Sequence, residues 1–136
     1  MTNQTEQSSD HQRQPDIEVY IKECSIDEII TWLNSVFEDV KTLGPLDKKS
    51  ITLTCTNGDN SIPLTVYTGA AGKLYTSLWF QSEKTPWKTD LDCALAIANA
   101  LDTEVRCATN SWEESADSEN EWWKVTKEGQ TTVNWK

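Results

Sequence analysis

Four stretches of this chain alternate apolar with polar residues, and a period of two is the signature of a strand with one covered face. Ile17, Val19 and Ile21 alternate with Glu18, Tyr20 and Lys22. Ile51, Leu53 and Cys55 alternate with threonines, and Ile62, Leu64 and Val66 repeat the pattern after the turn signal Asn57-Gly58. Leu74, Thr76, Leu78 and Phe80 follow a second turn, Gly69-Ala70-Ala71-Gly72. Successive strand residues point to opposite faces, so each stretch reads as a strand with one buried and one wet side. The chain must therefore build a sheet and supply something to cover it.

Two helical segments supply the cover. Ser25-Ile26-Asp27-Glu28 is a capping box, in which the serine oxygen accepts a free helix amide and the glutamate reaches back. Ile26, Ile29, Ile30, Leu33, Val36, Phe37 and Val40 then recur at helical spacing, predicting a helix to Asp39 or Val40, before Gly44-Pro45. A second helix is predicted from Thr89, with Asp92 three residues on and Pro86 just before. Its stripe is Leu91, Ala94, Leu95, Ala98 and Leu101, small enough for close packing on a sheet. Three more strands are expected near 103–108, 119–126 and 130–135, with Glu128-Gly129 as the last turn.

The predicted order is β-αβββ-αβββ, which reads as a near-repeat of one helix and three strands. The echo of Leu53-Thr54-Cys55-Thr56-Asn57 in Val105-Arg106-Cys107-Ala108-Thr109-Asn110 is compatible with duplication. The expected class is α+β, a mostly antiparallel sheet with two helices on one face. Residues 17–136 form the single domain. Residues 1–16 hold no core-forming residue apart from Met1 and are expected to be a disordered tail.

Composition excludes several functions. The 136 residues carry a formal charge of −10, from 22 acids against 12 bases. Nucleic-acid binding needs clustered Lys and Arg to neutralise phosphates, so it is disfavoured. No apolar run is long enough for a membrane span, and no signal-type stretch opens the sequence, so the expected compartment is the cytoplasm. The one histidine, His11, stands in the polar tail. Cys24, Cys55, Cys93 and Cys107 form no C-x-x-C pair, so no metal site and no cofactor are expected, and the thiols read as small buried hydrophobes. Asp90 and Asp92 suit a helix N-terminus, and Glu113 with Glu114 suits a solvated surface, better than either pair suits acid–base chemistry. No catalytic residue is assigned.

What remains is a binding argument with two candidate surfaces. The run from Asn110 to Trp123 carries Glu113, Glu114, Asp117, Glu119 and Glu121, no base, and tryptophan at both ends as Trp112 and Trp122–Trp123. It is either a solvated acidic loop or a recognition surface for a basic protein. The second surface is the sheet face opposite the aliphatic residues. Strand parity gives that face Tyr20, Tyr67, Tyr75, Trp79 and Trp122, with Thr52, Thr54, Thr65, Ser77 and Thr132 between them. Trp123, Val125, Val133 and Trp135 take the core parity. Such a face is either cross-strand pairing on a wet sheet or a contact surface, for a partner or for a homodimer. Trp32 and Trp87 read as packing residues.

In size, acidity, tryptophan richness and the acidic Trp112–Trp123 segment, residues 17–136 resemble the small acidic immunity proteins of bacterial toxin systems, such as those of contact-dependent growth inhibition. The resemblance implies a non-enzymatic inhibitor forming a tight one-to-one complex with a cognate toxin. That toxin is often a nuclease, whose basic cleft would accept carboxylates in place of phosphates. Two other readings stand beside it. One is a phosphate-mimicking inhibitor of a DNA-binding enzyme, with acids in rows. The other is a small α+β enzyme or ligand-binding domain using a buried carboxylate of raised pKa in a cavity.

Overall fold

A computed structural model describes residues 14–69, 74–109 and 121–134. Their strands are β1 (Ile17–Lys22), β2 (Asp39–Thr42), β3 (Ser50–Asn57), β4 (Asn60–Thr68), β5 (Tyr75–Phe80), β6 (Val105–Ala108), β7 (Glu121–Thr126) and β8 (Gly129–Asn134). The helices are α1 (Ile26–Val36) and α2 (Asp90–Leu101). All eight strands join one antiparallel sheet in the order β2-β3-β4-β5-β1-β6-β7-β8. The class is α+β, as expected. Each helix is followed by a meander, β2–β5 after α1 and β6–β8 after α2, and β1 welds the two meanders together.

The first meander has one strand more than the sequence predicts. Helix α1 stops at Val36, where Phe37 turns extended (φ −107°, ψ 156°) and its N–H donates to the Leu33 carbonyl at 2.8 Å. Val40 is therefore not helical but lies in β2 opposite Cys55. Apolar residues at 36, 37 and 40 fit a helical period, yet a β-branched valine between Asp39 and Lys41 also fits a strand. The free edge of β3 decides, giving Glu38 N–H the Thr56 carbonyl (3.0 Å) and Leu43 N–H that of Thr52 (2.9 Å).

The last hairpin corrects a second expectation. Thr126 pairs with Gly129, so Lys127-Glu128 is the turn and β8 starts at Gly129. A two-residue turn sets odd residues opposite even ones. Val133 thus lies opposite Trp122 on the uncovered face, and Thr132 opposite Trp123 on the helix side. Both are the reverse of the sequence reading, which required a loop of odd length. Trp135 lies outside the described residues.

One apolar cluster joins the inner sheet face to both helices. It includes Ile17, Val19, Ile21, Leu53, Leu64, Phe80 and Val105 from the sheet, Ile29 and Leu33 from α1, and Ala94, Ile97 and Ala98 from α2. Trp32 stacks on Trp87 at 5.6 Å, and Phe80 meets Trp87 at 5.3 Å, so both tryptophans are packing residues as expected. Helix α2 buries Cys93, Ala94, Ile97 and Ala98, leaving Leu91, Leu95 and Leu101 half-buried, a rotation of the predicted stripe. The small side chains at 93, 94 and 98 let α2 approach the sheet. Cys55, Cys93 and Cys107 are fully buried and free, and burial pushes the Cys55 thiol up to about 12. They act as small hydrophobes.

Both predicted caps form. Ser25 Oγ accepts Glu28 N–H at 3.2 Å while Glu28 Oε1 accepts Ser25 N–H at 3.0 Å, which holds the Glu28 carboxyl below its ordinary range. Thr89 Oγ1 accepts Asp92 N–H at 3.2 Å.

Candidate binding surface

Both helices pack on the aliphatic side of the sheet, so the register alone arranges the other side. Thr52, Thr65, Trp79 and Glu18 form one cross-strand row; Tyr67, Ser77, Tyr20, Arg106 and Lys124 form the next. Trp79 and Tyr67 are the most open aromatics there, 36% and 46% exposed. Trp122 meets Tyr20 edge-to-face at 5.6 Å and 83°, closing the aromatic set across β1 and β7. Tyr20, Tyr67, Trp79 and Trp122 thus share one face, as strand parity predicts.

Tyr75 shares the face but is closed off, only 7% exposed. Its hydroxyl donates to Glu104 Oε2 at 3.2 Å and the Arg106 guanidinium lies 5.5 Å from its ring centroid. Arg106 Nε donates to the same Glu104 oxygen at 2.6 Å, and Lys22 Nζ stands 4.0 Å from the other. Burial raises the Glu104 carboxyl, but Arg106, Tyr75 and Lys22 outweigh it and hold the group below its ordinary range. Sequence reasoning misses this cluster. Lys22 and Arg106 have the outward parity, but nothing in the sequence pairs β1 with β6 across the intervening chain.

Charge is polarised along the strands. Lys22, Arg106 and Lys124 lie toward one end of β1, β6 and β7. Toward the other end, Asp16 Oδ2 accepts the Trp79 indole N–H at 2.9 Å and Glu18 Oε2 accepts the Tyr20 hydroxyl at 3.3 Å. Behind them Asp90, at the N-terminus of α2 as expected, is only 7% exposed. Its Oδ1 accepts Glu18 N–H at 2.9 Å, and its own N–H donates to Gln14 Oε1 at 2.6 Å. Gln14 N–H in turn donates to the Lys88 carbonyl at 2.7 Å, so residues 14–16, read in sequence as the end of a tail, are fastened to the domain. Burial pushes the Asp90 carboxyl up to about 6, opposed by the Glu18 amide and Gln14 and reinforced by the charges of Asp16 and Glu18.

The chain leaves β6 and enters β7 at this acidic end, where Ala108 pairs with Trp122 and Thr109 Oγ1 donates to the Glu121 carbonyl at 3.3 Å. By alternation with Trp122, Glu121 points to the helix side. Trp112, Glu113, Glu114, Asp117 and Glu119 lie outside the described residues. Among the described residues, open recesses of about 430 Å³ against the β7–β8 hairpin and 250 Å³ beside α1 are lined by other residues than Asp90. Among the described residues no group of three His, Cys, Asp or Glu side chains is placed to hold a metal ion, and no helix is long and apolar enough to cross a membrane.

Comparison with family models, with curated proteins and with solved structures gave no match. The fold and surface define an α+β protein whose wide sheet carries an aromatic face with an acidic end.

Proposed function

We propose that this chain is a binding protein of the immunity type, which neutralises a basic protein partner, a cognate toxin, through the aromatic sheet face and its acidic end. The observation that carries the reading is Trp79, an open indole held by the Asp16 carboxylate next to Glu18, on the face it shares with Trp122. An exposed aromatic anchor of fixed orientation beside carboxylates is the composition of a binding hot spot facing a basic surface. The five acids from Glu113 to Glu121 add negative charge in the segment that enters β7 at the same end. Asp90, the buried carboxylate that an enzymatic reading would use, instead accepts the Glu18 backbone N–H.

The partner is to be captured from the source cell, identified by mass, and measured against variants. Trp79→Ala and Trp122→Ala are expected to raise the dissociation rate, at about 2 kcal/mol for a hot spot, or roughly thirtyfold. Neutralising Glu113, Glu114, Asp117, Glu119 and Glu121 together is expected to slow association and flatten its salt dependence. Unchanged binding in the two tryptophan variants would overturn the assignment of the face. Association rates indifferent to salt and to the five acids would overturn the basic partner.

A further inference from the structure

The sheet has two edges, and they differ. The β2 edge is four residues long and carries Asp39 and Lys41, charges of the kind that keep an edge from pairing. The β8 edge is six residues, Gly129-Gln130-Thr131-Thr132-Val133-Asn134, with no charge and no proline. All of these are exposed except the half-buried Val133. Nothing in the strand itself guards it.

Which of its backbone groups are free follows from the register. Lys22 N–H donates to the Glu104 carbonyl at 3.0 Å, so Glu104 and Arg106 bond toward β1. Strand residues bond alternately to the two sides, so Val105 and Cys107 bond to β7 through Val125 and Trp123. Trp122, Lys124 and Thr126 then bond to β8 through Val133, Thr131 and Gly129. The N–H and C=O groups of Gln130, Thr132 and Asn134 are left pointing away from the sheet.

The side chains are arranged symmetrically about Thr132. On either side stand a β-branched residue (Thr131, Val133) and then a carboxamide (Gln130, Asn134). We infer that β8 pairs antiparallel with β8 of a second copy, about a two-fold axis at Thr132, joining the two sheets into one. Gln130 then lies opposite Asn134 of the second copy, Thr131 opposite its Val133, and Thr132 opposite its own equivalent. The residues with outward backbone groups meet one another, so each such pair exchanges both N–H···O=C bonds. Carboxamide meets carboxamide, threonine meets threonine, and β-branched meets β-branched, which are favourable cross-strand pairs. Like charges meet nowhere in the strand. A heterologous strand would satisfy the same amides, but only a second copy makes use of the symmetry. This contact is separate from the aromatic face and leaves that face open.

Sedimentation velocity of the full chain at physiological salt tests it. An edge pairing buries less than a standard interface, so a reversible dimer of twice 15.4 kDa is expected through the micromolar range. The net charge of −10 per copy predicts a weaker dimer at low salt. Thr132→Pro removes an N–H that the β7 ladder does not use, so it is expected to give a monomer with the wild-type circular dichroism spectrum. Thr132→Lys sets two ammonium groups opposite each other and is expected to give a monomer as well. It carries the test if the proline variant unfolds. A wild-type chain that is monomeric throughout this range would overturn the inference. So would a dimer that survives both substitutions at Thr132, including one that Tyr67→Ser or Trp79→Ser dissolves.

Discussion

Replacing Asp90 by asparagine should make this protein more stable at neutral pH, because the native carboxylate is held where its charge is disfavoured. Burial pushes its pKa from 3.8 to about 6, and each unit corresponds to about 1.4 kcal/mol. Ionised Asp90 therefore costs the folded state about 3 kcal/mol relative to the neutral acid. A carboxyl whose native pKa lies above its unfolded value holds its proton more tightly when folded. Its contribution to stability is full below pH 3.8, fades as pH rises toward 6, and is gone above that. The asparagine Oδ1 can still accept Glu18 N–H, the bond that fastens β1 to the start of α2. Losing the favourable placement of a negative charge at a helix N-terminus takes back about 0.3–1 kcal/mol. The net expectation is a gain of about 2 kcal/mol at pH 7.5. Urea unfolding of both proteins between pH 4 and pH 7.5 isolates the effect as a difference, since Glu18 shifts in the same direction and Glu28 and Glu104 in the other. Asp90→Ala, which strands the Glu18 amide, should be less stable than Asp90→Asn by about 1–3 kcal/mol. An asparagine variant less stable than wild type at pH 7.5, or a difference that does not grow with pH, would refute the reasoning.

The two adjacent tryptophans of β7 should separate fold from surface. Trp123 packs against the core cluster while Trp122 lies on the outer face against Tyr20. Trp123→Ala is therefore expected to cost about 2–3 kcal/mol and Trp122→Ala about 1 kcal/mol, measured by thermal unfolding. The thiols should react in two classes with a chromogenic disulfide reagent. Cys24, half-buried, should react in the native protein, slowly because burial and Glu28 push it up to about 11, while Cys55, Cys93 and Cys107 should react only on unfolding.

Much of the fold is legible residue by residue because its signals are local. The capping box at Ser25–Glu28, the cap at Thr89 and the alternation of β1, β3, β4 and β5 each depend on neighbours within a few positions, and all stand as the sequence implies except at Leu74, which precedes β5 and is exposed. The outward set of Tyr20, Tyr67, Trp79 and Trp122 follows from the same alternation. Where a segment fits two periods, locality fails. Phe37 and Val40 fit a helix as well as a strand, and only the open edge of β3 turns Val40 into β2.

The face of Val133 depends on the length of one turn, and the burial of Asp90 depends on Gln14 and Glu18, more than seventy residues away. The Tyr75–Glu104–Arg106 cluster exists only because β1 lies between β5 and β6. The sequence by itself determined that this chain makes a one-sided sheet, where its helices begin, and that its charge is acidic, because those properties are set by side-chain chemistry at short range. Tertiary structure alone decided which strands are neighbours, and with them which carboxylates are buried, which aromatics stay open, and which strands form the edges of the sheet. Those depend on pairings between residues that the backbone brings together only once the sheet has closed.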